Sequence, residues 1–254
     1  MGQLEGKVAV VTGATAGTGL GIASRFAEEG AAVCLLAREP ERLERVVAEL
    51  GGDAMGIATD VGDPASVNAA FATIGDRHGK VDILVNNAAV YRPCPVEHLS
   101  DVDILQPTAT NMLGPIYTSR AAIPLLRAAG GGDIVNTSSE STLRPFPLLS
   151  VYVATKAALE AFTQVLASEV ADDGIRVTTV VQGTAVGAGG GSTGWEWDAD
   201  RTMEAVQLWN ELGLMQHAQG HLGGQEVSAV ADVHLYIVTR PRTQKLDRVH
   251  VRSF

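Results

Sequence analysis

Apolar and polar positions along the chain follow two alternating rhythms. Short β-branched apolar runs recur at 7–12, 31–37, 54–59, 81–85, 133–137 and 175–181, and each reads as a buried strand. Between them, residues 20–29, 40–50, 64–78, 101–129 and 150–170 carry apolar side chains three and four apart, the spacing of a helix with one buried face. Further helices are expected at 201–216 and 225–239, and a last strand at 246–251. Strand and helix in strict alternation predict an α/β fold, a doubly wound parallel sheet with helices on both faces. No repeat, linker or shift of composition divides residues 1–254, so a single domain is expected.

Local chemistry sharpens some boundaries. Asp63 stands as an N-cap before Pro64. Within 101–129, Pro107, Pro115 and Pro124 predict irregularities, and Asn111 is a polar residue that a helix interior does not favour. The stretch 182–224 breaks the rhythm: glycines at 187, 189, 190, 191 and 194 precede Trp195, Trp197, Trp209, Leu212, Leu214 and Met215. It is expected to form a substrate lid, mobile in its first half and apolar in its second.

Composition excludes several classes. A 46% hydrophobic content supports a substantial core, and a formal charge of -10 argues against nucleic acid and anionic membranes as partners. Two cysteines make no disulfide framework, and Cys34 falls in an expected buried strand. With no signal peptide or long apolar segment visible, a cytoplasmic protein is expected. No metal site is expected either.

The first strand runs into Gly13-Ala14-Thr15-Ala16-Gly17-Thr18-Gly19 and then a helix, the Rossmann-like arrangement in which backbone and helix N-terminus receive a phosphate. The second strand ends at Ala37 and Arg38, where a site selective for NAD would place an acid; an arginine favours the 2′-phosphate of NADP(H) over NAD(H). Asp60 and Val61 end the third strand, placed for adenine, and Asn86, Asn87, Ala88 and Ala89 end the fourth. Tyr152 and Lys156 lie one turn apart on one helix face, thirteen positions after Ser139. A phenol ordinarily has a pKa near ~10, and a neighbouring ammonium should lower it, which makes an acid/base pair for chemistry on an oxygen. Tyr91, Cys94, Leu143 and Phe146 are expected around it.

These motifs together resemble the short-chain dehydrogenase/reductase family, over roughly residues 5–183. The resemblance implies a nicotinamide cofactor and hydride transfer. It implies that Tyr152 exchanges a proton with the substrate oxygen and that Ser139, rather than Ser138, positions that oxygen. Lys156 would lower the phenol pKa and hold the nicotinamide ribose, and Asn111 would hold a water linking Lys156 to solvent. Gly13, Thr15, Ala16, Gly17, Thr18, Gly19, Arg38, Asp60, Val61, Asn87, Ala88, Gly183 and Thr184 would contact the cofactor. Tyr91, Phe146 and Trp195 would join Ser139 and Tyr152 around the substrate. The chain departs from the family after the sixth strand, where Gln182-Gly183 replaces Pro-Gly and Gly187 replaces a carboxamide-anchoring Thr; Thr184 and Ser192 are the hydroxyls available instead. The expected activity is an NADP(H)-dependent carbonyl reductase or alcohol dehydrogenase for a neutral, largely apolar ketone or secondary alcohol. An NAD-dependent, oxidative alcohol dehydrogenase and a non-catalytic dinucleotide sensor are the alternatives, the latter disfavoured by the intact Asn-Ser-Tyr-Lys set. A homodimer or homotetramer through helices 101–129 and 150–170 is expected.

Overall fold

The computed structural model describes residues 2–186, 199–214 and 224–253. Its strands are β1 (Val8–Thr12), β2 (Ala32–Ala37), β3 (Met55–Ala58), β4 (Ile83–Asn86), β5 (Gly132–Ser139), β6 (Ile175–Gln182), β7 (Ala185–Val186), β8 (Gln225–Glu226) and β9 (Arg248–Val251). Its α-helices are α1 (Gly17–Glu28), α2 (Pro40–Leu50), α3 (Pro64–His78), α4 (Asp101–Pro107), α5 (Gly114–Ala128), α6 (Ser150–Glu169), α7 (Ala199–Glu211) and α8 (Val227–Val238). Seven strands form one parallel sheet in the order β3-β2-β1-β4-β5-β6-β9, and β7 pairs with β8 in a small separate ladder. The chain winds outward from β1 in one direction and then from β4 in the other. A crevice therefore opens between the carboxyl ends of β1 and β4, where open sheets of this kind take their ligands.

Period-two alternation assigns each strand residue to a face. Val8 and Val10 of β1 pack with Phe71, Ile74, Leu126 and Leu166, from α3, α5 and α6. Ala9 and Val11 pack on the opposite side with Ile22, Phe26 and Leu235, from α1 and α8. Because both faces are covered, β1, β4 and the greater part of β5 and β6 are buried throughout, which is why they read as continuous apolar runs.

The helix expected over 101–129 is three pieces. Ser100 opens α4 with a capping box, and the backbone then widens into a π-helical turn over Thr108–Leu113 before α5 begins. The prolines explain the division. Pro107 ends α4, and Pro115 has no N–H to offer the carbonyl four residues back, that of Asn111. Asp63 caps α3 as expected, accepting from Ala65 N at 2.9 Å.

Arg176 braces the opposite, amino-terminal end of the sheet. Its Nε and Nη2 meet the two carboxylate oxygens of Asp133 at 2.7 and 3.0 Å. Its Nη1 donates to the carbonyls of Arg240, Pro241 and Gln244, which ties down the segment leading from α8 to β9. Burial pushes the Asp133 carboxyl up, against the opposing pull of Arg176 and Arg242.

His234 of α8 is fully buried. Its Nδ1 donates to Val230 O at 2.9 Å, and its Nε2 has no partner among the described residues. Burial pushes the imidazole down to about 4. An unfolded histidine titrates near ~6.5, so below that pH the unfolded chain takes up a proton that the folded one refuses. The contribution to stability is complete above ~6.5 and is lost as pH falls toward 4, by roughly 3 kcal/mol in total. His234→Leu should flatten the fall in urea-unfolding midpoint between pH 7 and pH 4.5; an unchanged pH slope would exclude His234 as its source.

Candidate active site

The cavity at the carboxyl ends of the strands has a volume of about 480 Å³. One end is built by the turn between β1 and α1. Gly13 has a φ of 64°, and a Cβ there would lie 3.0 Å from Ala88 Cα. At Gly19 a Cβ would lie 2.2 Å from Gly13 O, so the turn closes on itself only with glycine. Gly13, Thr15, Ala16, Gly17 and Thr18 line the cavity, whereas Gly19 is buried behind them as a packing residue. Ala16 gives α1 no side-chain cap, so its first-turn N–H groups face the cavity with the helix dipole behind them.

The Thr12 hydroxyl locks this turn to β4. It accepts from the N–H groups of Asn87 and Ala88, both at 3.0 Å, and donates to Val85 O. Asn87 Nδ2 returns a bond to Thr12 O at 3.2 Å. Asn87, Ala88 and Ala89 line the cavity, as do Asp60 and Val61 beyond β3. Asp60 uses one carboxylate oxygen within its own turn, accepting from Gly62 N at 2.9 Å. At the end of β2, Arg38 lines the cavity together with Glu39 and Arg42. Sequence reasoning missed Arg42, which the first turn of α2 brings to the cavity beside Arg38.

β5 and α6 supply the other end. Strand alternation sends Ser138 and Ser139 to opposite faces. Ser138 Oγ donates to Glu160 Oε1 of α6 at 2.6 Å, while Ser139 Oγ accepts from the hydroxyl and N–H of Ser141 at 2.9 and 3.2 Å. Ser139, Tyr152 and Lys156 all line the cavity. Lys156 is buried, donates from Nζ to Thr137 O at 2.6 Å, and lies 5.8 Å from the centroid of the Tyr152 ring. Burial pushes its ammonium down to about 8.

The phenol corrects a sequence expectation. Burial pushes Tyr152 above its ordinary value, and only the Ser139 hydrogen bond pulls it back. The ammonium is bound to a carbonyl and sits over the ring, so desolvation of the phenolate dominates. Tyr91, with its ring centroid 5.7 Å from that of Tyr152, is likewise pushed up by burial, to about 12.

Asn111 is wholly buried in the π-helical turn. Its side-chain amide is bonded to Val90 at both ends, Oδ1 accepting from N and Nδ2 donating to O at 2.7 Å each, and Nδ2 also reaches Thr155 Oγ1. The side chain pins the loop after β4 to α6.

Tyr91, Phe146, Leu149, Val206 and Trp209 form an apolar wall opposite the glycine turn. Trp209 meets Phe146 edge-on at 5.4 Å and donates from Nε1 to Pro147 O at 2.8 Å. Cys94 and Leu143 do not join this wall. Cys94 is buried behind it, its N–H bonded to Leu148 O, and Leu143 is turned outward with 48% of its surface exposed. Gly183 and Thr184 line the cavity beside Gln182. Trp195, Trp197, Met215, Ser192 and the glycines from Gly187 to Gly194 lie outside the described residues.

Two buried side-chain oxygens in the cavity wall, Thr137 Oγ1 and Gln182 Oε1, have no partner among the described residues. Together with the uncapped helix terminus and the Arg38–Arg42 pair, they fit an elongated ligand with phosphates at one end and hydrogen-bonding groups at the other. Among the described residues no cluster of His, Cys, Asp or Glu could hold a metal ion.

Comparison with known proteins agrees with this geometry. Residues 7–189 match the family model described as short chain dehydrogenase. The D-threitol dehydrogenase of Mycolicibacterium smegmatis is 39% identical over 181 residues, 70% of each chain. A metagenomic short-chain oxidoreductase in complex with NADP superposes with a TM-score of 0.80 at 28% identity, over 99% of both chains. The 3-ketoacyl-(acyl-carrier-protein) reductase of Brucella melitensis complexed with NADH gives 0.81 at 30% identity, over 98% of this chain and 97% of that one. The chain belongs to the short-chain dehydrogenases, and is an NAD(P)-dependent oxidoreductase acting on CH–OH and C=O groups.

Proposed function

We propose that the protein is an NADP(H)-dependent reductase of neutral, largely apolar ketones, with Ser139, Tyr152 and Lys156 as its catalytic residues. The observation that carries this reading is the enclosure of Tyr152 between Ser139 and Lys156 at the apolar end of a cavity whose other end is the glycine turn. The nicotinamide cofactor supplies the hydride when bound. Tyr152, held above its ordinary pKa, keeps its proton at neutral pH and donates it to the carbonyl oxygen that becomes the alcohol. Ser139 orients that oxygen by a second hydrogen bond. Lys156 carries a positive charge below about pH 8 and, with Nζ held on Thr137 O beside the Tyr152 ring, would bind the nicotinamide ribose. Asn111 would hold the water that links Lys156 to solvent, its side chain being fixed by Val90 and Thr155.

Arg38 and Arg42 at the end of β2, with Ala37 where an acid would be needed to select NAD, support the NADP(H) preference. Tyr91, Phe146, Leu149, Val206 and Trp209 support an apolar substrate. Residues 184–199 contain no Lys or Arg, so that stretch offers no clamp for an anion. The polyol named for the mycobacterial relative does not weigh heavily against this. The family match ends at residue 189, and Val206 and Trp209 belong to α7 beyond it. Residues 182–224, including Trp195, would act as the lid.

Val102, Leu105 and Val165 are each more than half exposed, on α4 and α6. This surface supports a homodimer or homotetramer formed through those helices. No helix among the described residues is long and apolar enough to cross a membrane. The two cysteines are free and buried, which accords with a cytoplasmic protein.

Turnover of a panel of ketones, alcohols and keto acids, followed with both cofactors, tests the reading; preference for a small keto acid would overturn the apolar pocket. Arg38→Ala combined with Arg42→Ala should weaken NADPH binding about tenfold or more and NADH binding little. Equal losses would show that no 2′-phosphate is read there.

Tyr152→Phe should retain dinucleotide binding and lose about 10²–10⁴-fold in turnover. Because the Lys156 charge is present below about pH 8 and lost above it, dinucleotide affinity should weaken as pH rises through 8. In Lys156→Met it should be weak and flat over that range. Light scattering should give a mass at least twice that of one chain, and Leu105→Asp with Val165→Asp should reduce it to one.

A further inference from the structure

Gln182 ends β6 as the register partner of Ser139 on β5. Residues paired this way in a parallel ladder share a sheet face, so Gln182 projects from the face that presents Ser139 to the cavity. Its side chain crosses to the first turn of α1, where Nε2 donates to Thr18 Oγ1 at 3.1 Å. Its Oε1 is shut off from solvent and has no partner among the described residues. A buried amide oxygen left without a donor costs about 1–3 kcal/mol.

Three observations place the missing donor on a ligand. Gln182 and its neighbours Thr18, Gly183 and Thr184 all line the cavity. Thr137 Oγ1, two residues before Ser139 and on the same strand face, is a second buried oxygen without a partner in that cavity. Moreover, Gln182 lies between the phosphate-binding turn and the Ser139–Tyr152 pair, the interval that a hydride-carrying ring has to occupy. The pyridine end of a nicotinamide dinucleotide bears a carboxamide, whose N–H₂ is the donor that a lone amide oxygen lacks.

We propose that Gln182 is a positioning residue for the cofactor, its Oε1 accepting a hydrogen bond from the nicotinamide carboxamide while its Nε2 stays on Thr18. The amide thereby reads the orientation of the ring, at the strand end where the chain carries Gln in place of Pro. The inference rests on the dinucleotide reading of the cavity.

The test is calorimetric binding of the reduced dinucleotide and of its 3-acetylpyridine analogue, in which a methyl group replaces the carboxamide nitrogen. The unaltered protein should bind the carboxamide form about tenfold more tightly, the factor that corresponds to about 1.4 kcal/mol. In Gln182→Met the two forms should bind within about twofold of each other, with the loss confined to the carboxamide form. In Gln182→Glu, which keeps an acceptor, the preference should persist. Equal weakening of both forms in Gln182→Met would reduce the residue to a brace for Thr18, and an undiminished preference would remove it from the site; either overturns the inference. Absence of dinucleotide binding by the unaltered protein would overturn the proposed function along with it.

Discussion

A chain of buried side-chain amides and hydroxyls lies beneath the cavity and fastens together the strands and helices that carry Ser139, Tyr152 and Lys156. Asn86 accepts from Thr118 at 2.6 Å and donates to Asn136 at 2.8 Å; Asn136 donates in turn to Thr163 at 2.9 Å. These bonds join β4, β5, α5 and α6 directly beneath the turn that carries Ser139. Thr12 and Asn87 extend the same fastening to β1 and the glycine turn. Such groups are expensive to bury unless each finds its partner, so the network admits one register of strands and one height of α6. Tyr152 and Lys156 inherit their positions from that register.

The cavity is electrostatically divided. The β2 end gathers Arg38 and Arg42, while the Ser139 end is buried and holds a lysine whose charge burial disfavours. Desolvation dominates at that end: it keeps the phenols of Tyr91 and Tyr152 protonated and brings the ammonium within reach of neutrality. A protein of net charge -10 can still bind a polyanion because its few relevant cations and one helix terminus are concentrated at a single place.

Much of this was legible in the sequence because the parallel sheet writes itself as short apolar runs, and the glycine turn and the Tyr152–Lys156 spacing are local features. The helix 64–78 with its Asp63 cap is found as read. What was not legible depended on distance through space. The direction of the Tyr152 pKa shift is set by how deeply the phenol is enclosed. The places of Cys94 and Leu143 follow from the path of their loops, and the Ser138–Glu160 bond depends on which helix covers the strand. The division of 101–129 was half visible: the prolines marked where it would break, but the π-helical widening that buries Asn111 needs α6 on the other side.

α7 packs on the rest of the site through the buried Ala205 and Trp209; Trp209 meets Phe146 edge-on and donates to Pro147 O, and Arg201 lies 3.9 Å from Asp103 of α4. The polar floor, the glycine turn and the Arg176 brace all lie elsewhere. The helix is thus seated by a few side chains rather than by strand pairing, and a graft from a related chain would need to reproduce both the small residue at 205 and the indole at 209. The two cores on the faces of the sheet take no residue from α7, so under the proposed function variation on the α7 wall alters the substrate end of the cavity before it alters the sheet.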